Sequence, residues 1–190
     1  MVKEKILLAS ASPRRREILE TAGIPFEVVP SFGEEICPAG LSVEEVVLAN
    51  ARAKALEVSS RFPGRVVLGA DTLVEYGGEK LGKPKDRTHA AEMLRFLSGK
   101  THRVLTGVCI TDGKTVKGEV SVSHVTFRKL SEELITAYVA TGECDDKAGA
   151  YGIQGKGGAL VSGYDGDFDT VVGLSLSLTE RLVAEATSDD

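Results

Sequence analysis

The chain has 190 residues, a formal charge of -5 and 42% hydrophobic residues, which is the composition of an ordinary globular protein. This length suits one domain, and residues 1–190 are predicted to form a single one, because no internal repeat and no long polar linker divides them. The acidic balance argues against a nucleic-acid polymer or a membrane surface as the partner. No apolar segment approaches the roughly 20 residues that a membrane span needs.

Three cysteines, Cys37, Cys109 and Cys144, are odd in number, widely spaced and free of any C-x-x-C pattern. This usage predicts reduced thiols rather than a disulfide framework or a zinc site. The apolar run near the N-terminus is too short for a signal peptide and ends in serine and arginine. We therefore expect a cytoplasmic protein.

The first unusual stretch is Leu-Leu-Ala-Ser-Ala-Ser-Pro-Arg-Arg-Arg at residues 7–16. Residues 6–9 predict a buried strand, and Ser12 and Pro13 then suit the N-cap and first position of a helix. The N–H groups at such a helix start bind anions, and Arg14 and Arg15 add charged forks that match phosphate oxygens. We predict a polyphosphate or carboxylate pocket here. Solvated arginines are the alternative, although a basic first turn opposes the helix dipole.

Apolar periodicity and turn residues predict an alternation of strands and helices along the chain. Strands are expected at 6–9, 26–29, 65–70, 101–111, 116–127 and 159–162. Helices are expected at 13–22, 42–60, 86–97, 131–140 and 170–186, and Gly77-Gly78 at a hairpin tip. The core-facing residues expected on helix 42–60 are Val46, Val47, Ala49, Ala53 and Leu56.

Several charged residues stand where strands and turns would bring them to a ligand. Asp71 follows the apolar strand 65–70, and α/β proteins place chemistry at the carboxyl ends of strands, although an aspartate that caps a turn is the alternative. Gly82 before Lys83 allows a close approach of the backbone to a phosphate, but the P-loop spacing is absent. Lys54 on helix 42–60 would be solvated unless the fold turns it inward. Paired carboxylates, Glu34 and Glu35, follow the strand 26–29.

The second unusual stretch is the glycine-rich segment 145–158. Its glycines permit close contact with a ligand, and Tyr151 and Gln154 are candidates to contact a base, although a flexible surface loop has a similar composition. The histidines His89, His102 and His124 stand far apart and lack metal-ligand spacing, so each is predicted to be structural or on the surface.

Four motifs together resemble the Maf-type nucleotide pyrophosphatases. They are Ser-Ala-Ser-Pro-Arg-Arg at 10–15, Gly-Ala-Asp-Thr at 69–72, Gly-Lys-Pro at 82–84 and Asp-Lys-Ala-Gly-Ala-Tyr-Gly-Ile-Gln-Gly at 146–155. The resemblance covers nearly the whole chain. It implies an α/β fold with an elongated, twisted mixed β-sheet flanked by helices, in two lobes with a central cleft, similar to inosine triphosphate pyrophosphatases.

The resemblance also implies hydrolysis of nucleoside triphosphates to the monophosphate and pyrophosphate, with a divalent metal cation, Mg²⁺ or Mn²⁺. The branch acting on dTTP and UTP is the most similar, since its Arg, Thr and Gln specificity positions match Arg14, Thr72 and Gln154. The branch acting on 7-methyl-GTP differs around the last two motifs. One departure is Ser175, where the family has proline in Val-Val-Gly-Leu-Pro-Leu, and it leaves the entry to the last helix open.

The resemblance and the residue chemistry together give a hypothetical site. Asp71 is expected to act as general base, and Glu35 with Asp71 to hold the metal, although the sequence does not separate the base and ligand roles. The residues expected to bind the substrate are Ser10, Ser12, Arg14, Arg15, Lys54, Thr72, Lys83 and Gln154. Of these, the arginines and lysines would hold the triphosphate, and Thr72 and Gln154 would read the pyrimidine edge.

Two other functions remain open at this point. Members of the family are associated with arrest of septum formation, so a nucleotide-sensing regulator of cell division is one alternative. A pyrophosphatase for purine or modified nucleotides is the other. The sequence fixes neither the preferred metal nor the oligomeric state, of which a homodimer is one option.

Overall fold

The computed structural model of the chain describes residues 5–187. Within this range seven strands form one sheet in the order β2-β1-β3-β5-β6-β7, with β4 paired to β3. The strands are β1 (Ile6–Leu8), β2 (Phe26–Val28), β3 (Val67–Tyr76), β4 (Glu79–Leu81), β5 (Thr101–Thr111), β6 (Val116–Phe127) and β7 (Val161–Asp165). The helices are α1 (Pro13–Thr21), α2 (Val43–Arg61), α3 (Arg87–Leu97), α4 (Glu132–Ala140), α5 (Phe168–Val172) and α6 (Leu176–Thr187).

The sheet is mixed, as the resemblance to the Maf family implied. Strand β1 is parallel to β2 and β3, whereas β4 is antiparallel to β3 and β7 is antiparallel to β6. The α/β class, with helices flanking a mixed sheet, is therefore confirmed. None of the described helices combines the length and the apolar composition needed to cross a membrane.

The described residues divide into two compact units. The first unit comprises residues 5–71, 106–121 and 173–187, and the second comprises residues 72–105 and 122–172. Strand β3 passes from the first unit to the second after Asp71. The single domain expected from the sequence stays a prediction.

In the first unit, α2 packs on the sheet through small side chains. Ala51 and Ala55 of α2 are fully buried against Val67 of β3. The core prediction for α2 is confirmed at Val46 and Val47, which are fully buried; Ala49 is half-buried. It is wrong at Ala53 and Leu56.

Ala53 and Leu56 are exposed rather than buried, Leu56 at 38%. The helix lies so close to the sheet that the alanine stripe faces it, and the larger Leu56 therefore lies outside that contact. Positions 46, 49, 53 and 56 have helical spacing, as do 47, 51, 55 and 58, so periodicity alone did not decide which of these adjacent faces the sheet covers.

The second unit has its own core between α3, α4 and the strands. The predicted apolar face of α3 is confirmed, because Ala90, Met93, Leu94 and Leu97 are all buried. Asp86 caps α3 by accepting a hydrogen bond from the His89 N–H at 2.8 Å. The glycine-rich segment forms two 3-10 turns, Ala148–Ala150 and Gly155–Leu160, rather than an irregular loop.

Three predicted boundaries are wrong. The strand expected at 159–162 is displaced, because Gly155–Leu160 form the second 3-10 turn and β7 covers Val161–Asp165. Strand β3 runs on to Tyr76, so Asp71 lies in the middle of the strand rather than just after it. The helix expected at 170–186 is two helices, because Gly173 has a φ of 134°, which does not fit an α-helix. Ser175 directly precedes α6 and caps it, its Oγ accepting from the Leu178 N–H at 3.4 Å, so a serine cap stands where the family has proline.

Candidate active site

Asp71 is the centre of a polar cluster in the first unit. The whole residue is 3% exposed, although aspartate is rarely buried without partners. Each carboxylate oxygen has one donor from α2: Lys54 Nζ lies 2.9 Å from Oδ1, and Asn50 Nδ2 donates to Oδ2 at 2.9 Å. Asn50 and Lys54 are four residues apart, so one helical face presents both donors.

Two glycines bring α2 close enough for these contacts. A Cβ at Gly69 of β3 would lie 2.2 Å from the Ala51 carbonyl oxygen and 2.8 Å from the Ala55 nitrogen. A Cβ at Gly107 of β5 would lie 2.5 Å from the Val47 carbonyl oxygen. No side chain fits at either place. The glycine two residues before Asp71 therefore sets the distance between the helix and the aspartate.

Lys54 is turned inward, which is the condition that the sequence left open. Its side chain is only 13% exposed. Besides Asp71, its ammonium contacts Glu35 Oε1 at 2.6 Å and the Ala70 carbonyl oxygen at 3.3 Å. A largely buried ammonium needs such partners, because desolvation penalises an unpaired charge. Lys54 thus joins Glu35, from the loop after β2, to Asp71 in β3.

The loop that carries Glu35 is held by Asn50. Asn50 Oδ1 accepts from the Ile36 N–H at 2.9 Å, and its Nδ2 donates to the Ile36 carbonyl oxygen at 2.9 Å. The same Nδ2 reaches Asp71, so a single buried amide contacts both the loop and the strand. Asn50 is not among the site residues expected from the sequence, and its only signal there is its position one helical turn before Lys54.

The start of α1 supplies the second part of the cluster. Arg15 is buried, its Nε donates to the Gly173 carbonyl oxygen at 2.8 Å and its Nη1 donates to Ser10 Oγ at 3.0 Å. Ser10 Oγ also accepts from the Ser12 N–H at 3.2 Å. Ser12 is the N-cap residue of α1, as predicted, but its side chain makes no capping hydrogen bond. Two of the three guanidinium nitrogens of Arg15, Nε and Nη1, therefore form hydrogen bonds within the protein.

The charges of this region act on one another. Burial lowers the pKa of the Arg15 guanidinium, whereas the negative charges of Asp71 and Glu35 raise it and the adjacent Arg14 lowers it. Arginine remains protonated despite such opposing effects, because its ordinary pKa is above 12. Arg15 and Lys54 thus bring two positive charges to the two carboxylates, and Arg14 lies close enough to act on Arg15, in a chain whose overall charge is negative.

Glu35 and Asp71 fit a divalent cation that is shared with a substrate. Their carboxylate oxygens lie 2.6 Å and 2.9 Å from the same ammonium nitrogen. In the described part of the chain, no group of three or more His, Cys, Asp or Glu side chains is arranged to hold a metal. Two hard oxygen donors suit Mg²⁺ or Mn²⁺ that takes its remaining ligands from phosphates and water. The donor set therefore matches a substrate-borne metal rather than a closed cage.

The other predicted residues lie in the second unit. Thr72 is half-buried in β3, Lys83 is exposed after β4, and Gln154 is exposed just before the second 3-10 turn. The Gly149 N–H donates to the Gly82 carbonyl oxygen at 3.1 Å. This hydrogen bond joins the segment before Lys83 to the segment that leads to Gln154.

Tyr151 is not available to contact a base, contrary to the sequence-based expectation. It is 6% exposed, and its hydroxyl is 2.7 Å from His102 Nε2 in the core of the second unit. Its ring packs edge-on against Phe127, with 4.6 Å between centroids. The aromatic residue in the glycine-rich motif therefore anchors the segment, and His102 is structural, as predicted.

Comparisons with known proteins agree with this description. The family described as Maf-like protein matches residues 5–186. The chain is 48% identical to a dTTP/UTP pyrophosphatase of Bacillus cytotoxicus, over 98% of this chain and 96% of the relative. It is 49% identical to a protein of the same name in Bacillus anthracis, over 95% and 93%, and 50% identical to one in Moorella thermoacetica, over 95% and 94%.

Proposed function

Because the chain belongs to the Maf family, we propose that it hydrolyses nucleoside triphosphates, dTTP and UTP in particular, to the nucleoside monophosphate and pyrophosphate. The observation that carries the proposal is the buried Asp71, whose two oxygens are fixed by Lys54 and Asn50 next to Glu35. Relatives with the name dTTP/UTP pyrophosphatase supply the substrate class.

Asp71 is proposed as the general base. Cleavage between the α and β phosphates needs a water molecule that is aligned with the leaving group and loses a proton as it attacks. A carboxylate held from two sides cannot rotate freely, so Asp71 presents one fixed oxygen direction to that water. General-base catalysis of this kind contributes roughly 100- to 10,000-fold to a rate.

Glu35 and Asp71 are proposed to hold Mg²⁺ or Mn²⁺, with the phosphates completing the coordination. When bound, the cation neutralises phosphate charge and lowers the pKa of a coordinated water. Lys54 contacts both carboxylates, so its ammonium is close to the proposed metal position and can neutralise part of the negative charge of the bound phosphates. Which of the two cations is preferred is part of the test below.

The positive charges at the start of α1 are proposed to bind the triphosphate. Arg14 lies in the first turn, where backbone N–H groups and the helix dipole also favour an anion. Arg15 adds charge and keeps the turn in place through Ser10 and Gly173. Lys83 is proposed to contribute a further phosphate contact from the loop after β4.

Thr72 and Gln154 are proposed to read the pyrimidine edge. Hydrogen-bond recognition gives strong discrimination, because a wrong base leaves polar groups of the site without partners. Gln154 lies at an ordered position: Glu143 accepts from the Lys156 N–H at 3.1 Å, which pins the turn that follows it. A cytoplasmic location and a homodimer stay predictions.

A nucleotide panel tests the function. The protein is incubated with dTTP, UTP, the purine triphosphates and modified nucleotides, with Mg²⁺ or Mn²⁺ or with EDTA, and pyrophosphate release is measured. We expect release from dTTP and UTP that stops in EDTA. Preferred release from a purine nucleotide would support the second pyrophosphatase assignment. Nucleotide binding without turnover would support a nucleotide-sensing regulator of division instead.

A further inference from the structure

We propose that Asn50 is a positioning residue of the reaction, which fixes Asp71 and the Glu35 loop relative to each other. This inference rests on the proposed function, since it concerns the same carboxylates. Its observation is separate, however: one buried amide, 4% exposed, makes three hydrogen bonds of 2.9 Å to two different segments of the chain.

The three partners allow only one orientation of the amide. The Ile36 N–H is a donor and must face Asn50 Oδ1, whereas the Ile36 carbonyl and the Asp71 carboxylate are acceptors and must face Nδ2. All the polar atoms of the side chain are used. Aspartate at this position would keep the contact to the Ile36 N–H, but it would turn a negative oxygen towards two acceptors. The site therefore requires a carboxamide at residue 50, not merely a polar residue.

The geometry explains why this contact matters for chemistry. Asn50 binds Oδ2 of Asp71, which leaves Oδ1 to Lys54, whose ammonium also contacts Glu35. Ile36 directly follows Glu35, so holding both backbone groups of Ile36 limits where the glutamate carboxylate can lie. Without Asn50 the loop keeps the contact of Glu35 with Lys54 but loses both hydrogen bonds to the Ile36 backbone. A displacement of about 1 Å can cost roughly 100-fold in rate.

Hydrogen exchange of the unaltered protein gives the first test. The side chain of Ile36 is 50% exposed and the residue lies outside every helix and strand, so its amide would exchange quickly without a partner. We expect a protected Ile36 amide by NMR exchange. Fast exchange, at the rate of an open loop, would overturn the proposal before any variant is made.

Variants give the second test. Asn50→Ala and Asn50→Asp are compared with Ser59→Ala, a matched control that removes a buried polar group from the same helix away from the site. We expect Asn50→Ala to lower kcat for dTTP by roughly 10- to 100-fold and to keep KM within about threefold of the wild-type value. The reason is that the hydrogen bonds of Asn50 go to Ile36 and Asp71, not to the arginine and lysine side chains proposed to bind the phosphates. Asn50→Asp should lose at least as much. Ser59→Ala should keep kcat within about twofold.

A metal titration separates the inference from the proposed function. Mn²⁺ binding without nucleotide is followed by electron paramagnetic resonance, and we expect weaker binding by several-fold in Asn50→Ala, with faster exchange at Ile36. If the wild-type protein releases no pyrophosphate, the proposed function fails while these two readouts still decide the role of Asn50. Wild-type Mn²⁺ affinity and kcat in Asn50→Ala, or equal losses in Ser59→Ala, would show that Asn50 has no special role.

Discussion

Lys54 and Asp71 form an ion pair in which neither side chain is well exposed to water, at 13% and 5%. Such a pair contributes little net stability, because desolvation offsets the attraction, but removing one partner leaves a buried charge. Glu35 joins the same ammonium from a more exposed position. The cluster therefore depends on Lys54 for its electrostatic balance.

Replacing Lys54 by methionine tests that balance. Lys54→Met should lower the free energy of unfolding by roughly 2–3 kcal/mol, less than the full cost of breaking a buried pair, because Glu35 is partly solvated. Urea unfolding of the variant and the wild-type protein measures this difference in free energy. The double variant Lys54→Met with Asp71→Asn should recover part of the loss. Losses that simply add in the double variant would mean that the two residues are not coupled.

Gly69 determines how closely α2 approaches β3. Gly69→Ala should destabilise the protein by roughly 3 kcal/mol and displace Asn50 and Lys54 from Asp71, because the new Cβ overlaps backbone atoms that cannot move alone. Thermal unfolding and turnover measure the two effects. Gly40→Ala is the matched control, since a Cβ there meets nothing within 4 Å. Equal stability of the two variants would contradict the close packing.

The buried His102 predicts a loss of stability in acid. Burial lowers its pKa to about 4 from an ordinary 6.5, and its Nδ1 has no hydrogen-bond partner among the described residues. The folded state therefore binds the proton less well than the unfolded chain. Stability should be complete above pH 6.5 and fall towards pH 4, by up to about 3 kcal/mol.

Unfolding free energy as a function of pH measures this effect, with His124→Gln as the control, because His124 is exposed. The control should keep the pH dependence, whereas His102→Gln should lower stability at neutral pH and remove this part of the slope. A His102→Gln variant with an unchanged slope between pH 6.5 and pH 4 would assign the dependence to other groups.

Gln154 tests base recognition. Gln154→Glu exchanges an amide for a carboxylate of the same shape, so a hydrogen-bond donor becomes an acceptor. The ratio of kcat/KM between pyrimidine and purine nucleotides should therefore change by roughly tenfold or more. The dependence on metal should stay as in the unaltered protein. A nucleotide preference that does not change in the panel would remove Gln154 from this role.

Local signals in the sequence predicted much of the fold. Ser42 and Glu45 form the reciprocal capping box at the start of α2, and Ser131 caps α4 through the Leu134 N–H. Strand β5 and strand β6 match their predicted limits. Caps, turns and alternation act within a few residues, so they can be interpreted without knowledge of the rest of the chain.

The errors came from contacts between distant residues. Strand β3 continues through Asp71 because Asn50 and Lys54 satisfy the carboxylate, which nothing near Asp71 in the sequence indicates. Tyr151 is buried because its hydroxyl forms a hydrogen bond in the core with His102, which is 49 residues away in the sequence. Arg15 and Asp71 could be singled out from their motifs, whereas Asn50, which fixes Asp71, has only its place one helical turn before Lys54 as a signal.

The most direct test of the whole account is pyrophosphate release by Asp71→Asn in a single turnover, with the protein in excess over dTTP and with Mn²⁺ present. The variant keeps the shape of residue 71 and one acceptor oxygen, although its amide group must face either Asn50 or Lys54, both of which are donors. Circular dichroism checks that it folds, and dTTP binding is measured separately from release. We predict that it binds dTTP while release slows by at least roughly 100-fold. Release at the wild-type rate from this variant would contradict the assignment of Asp71 as the base.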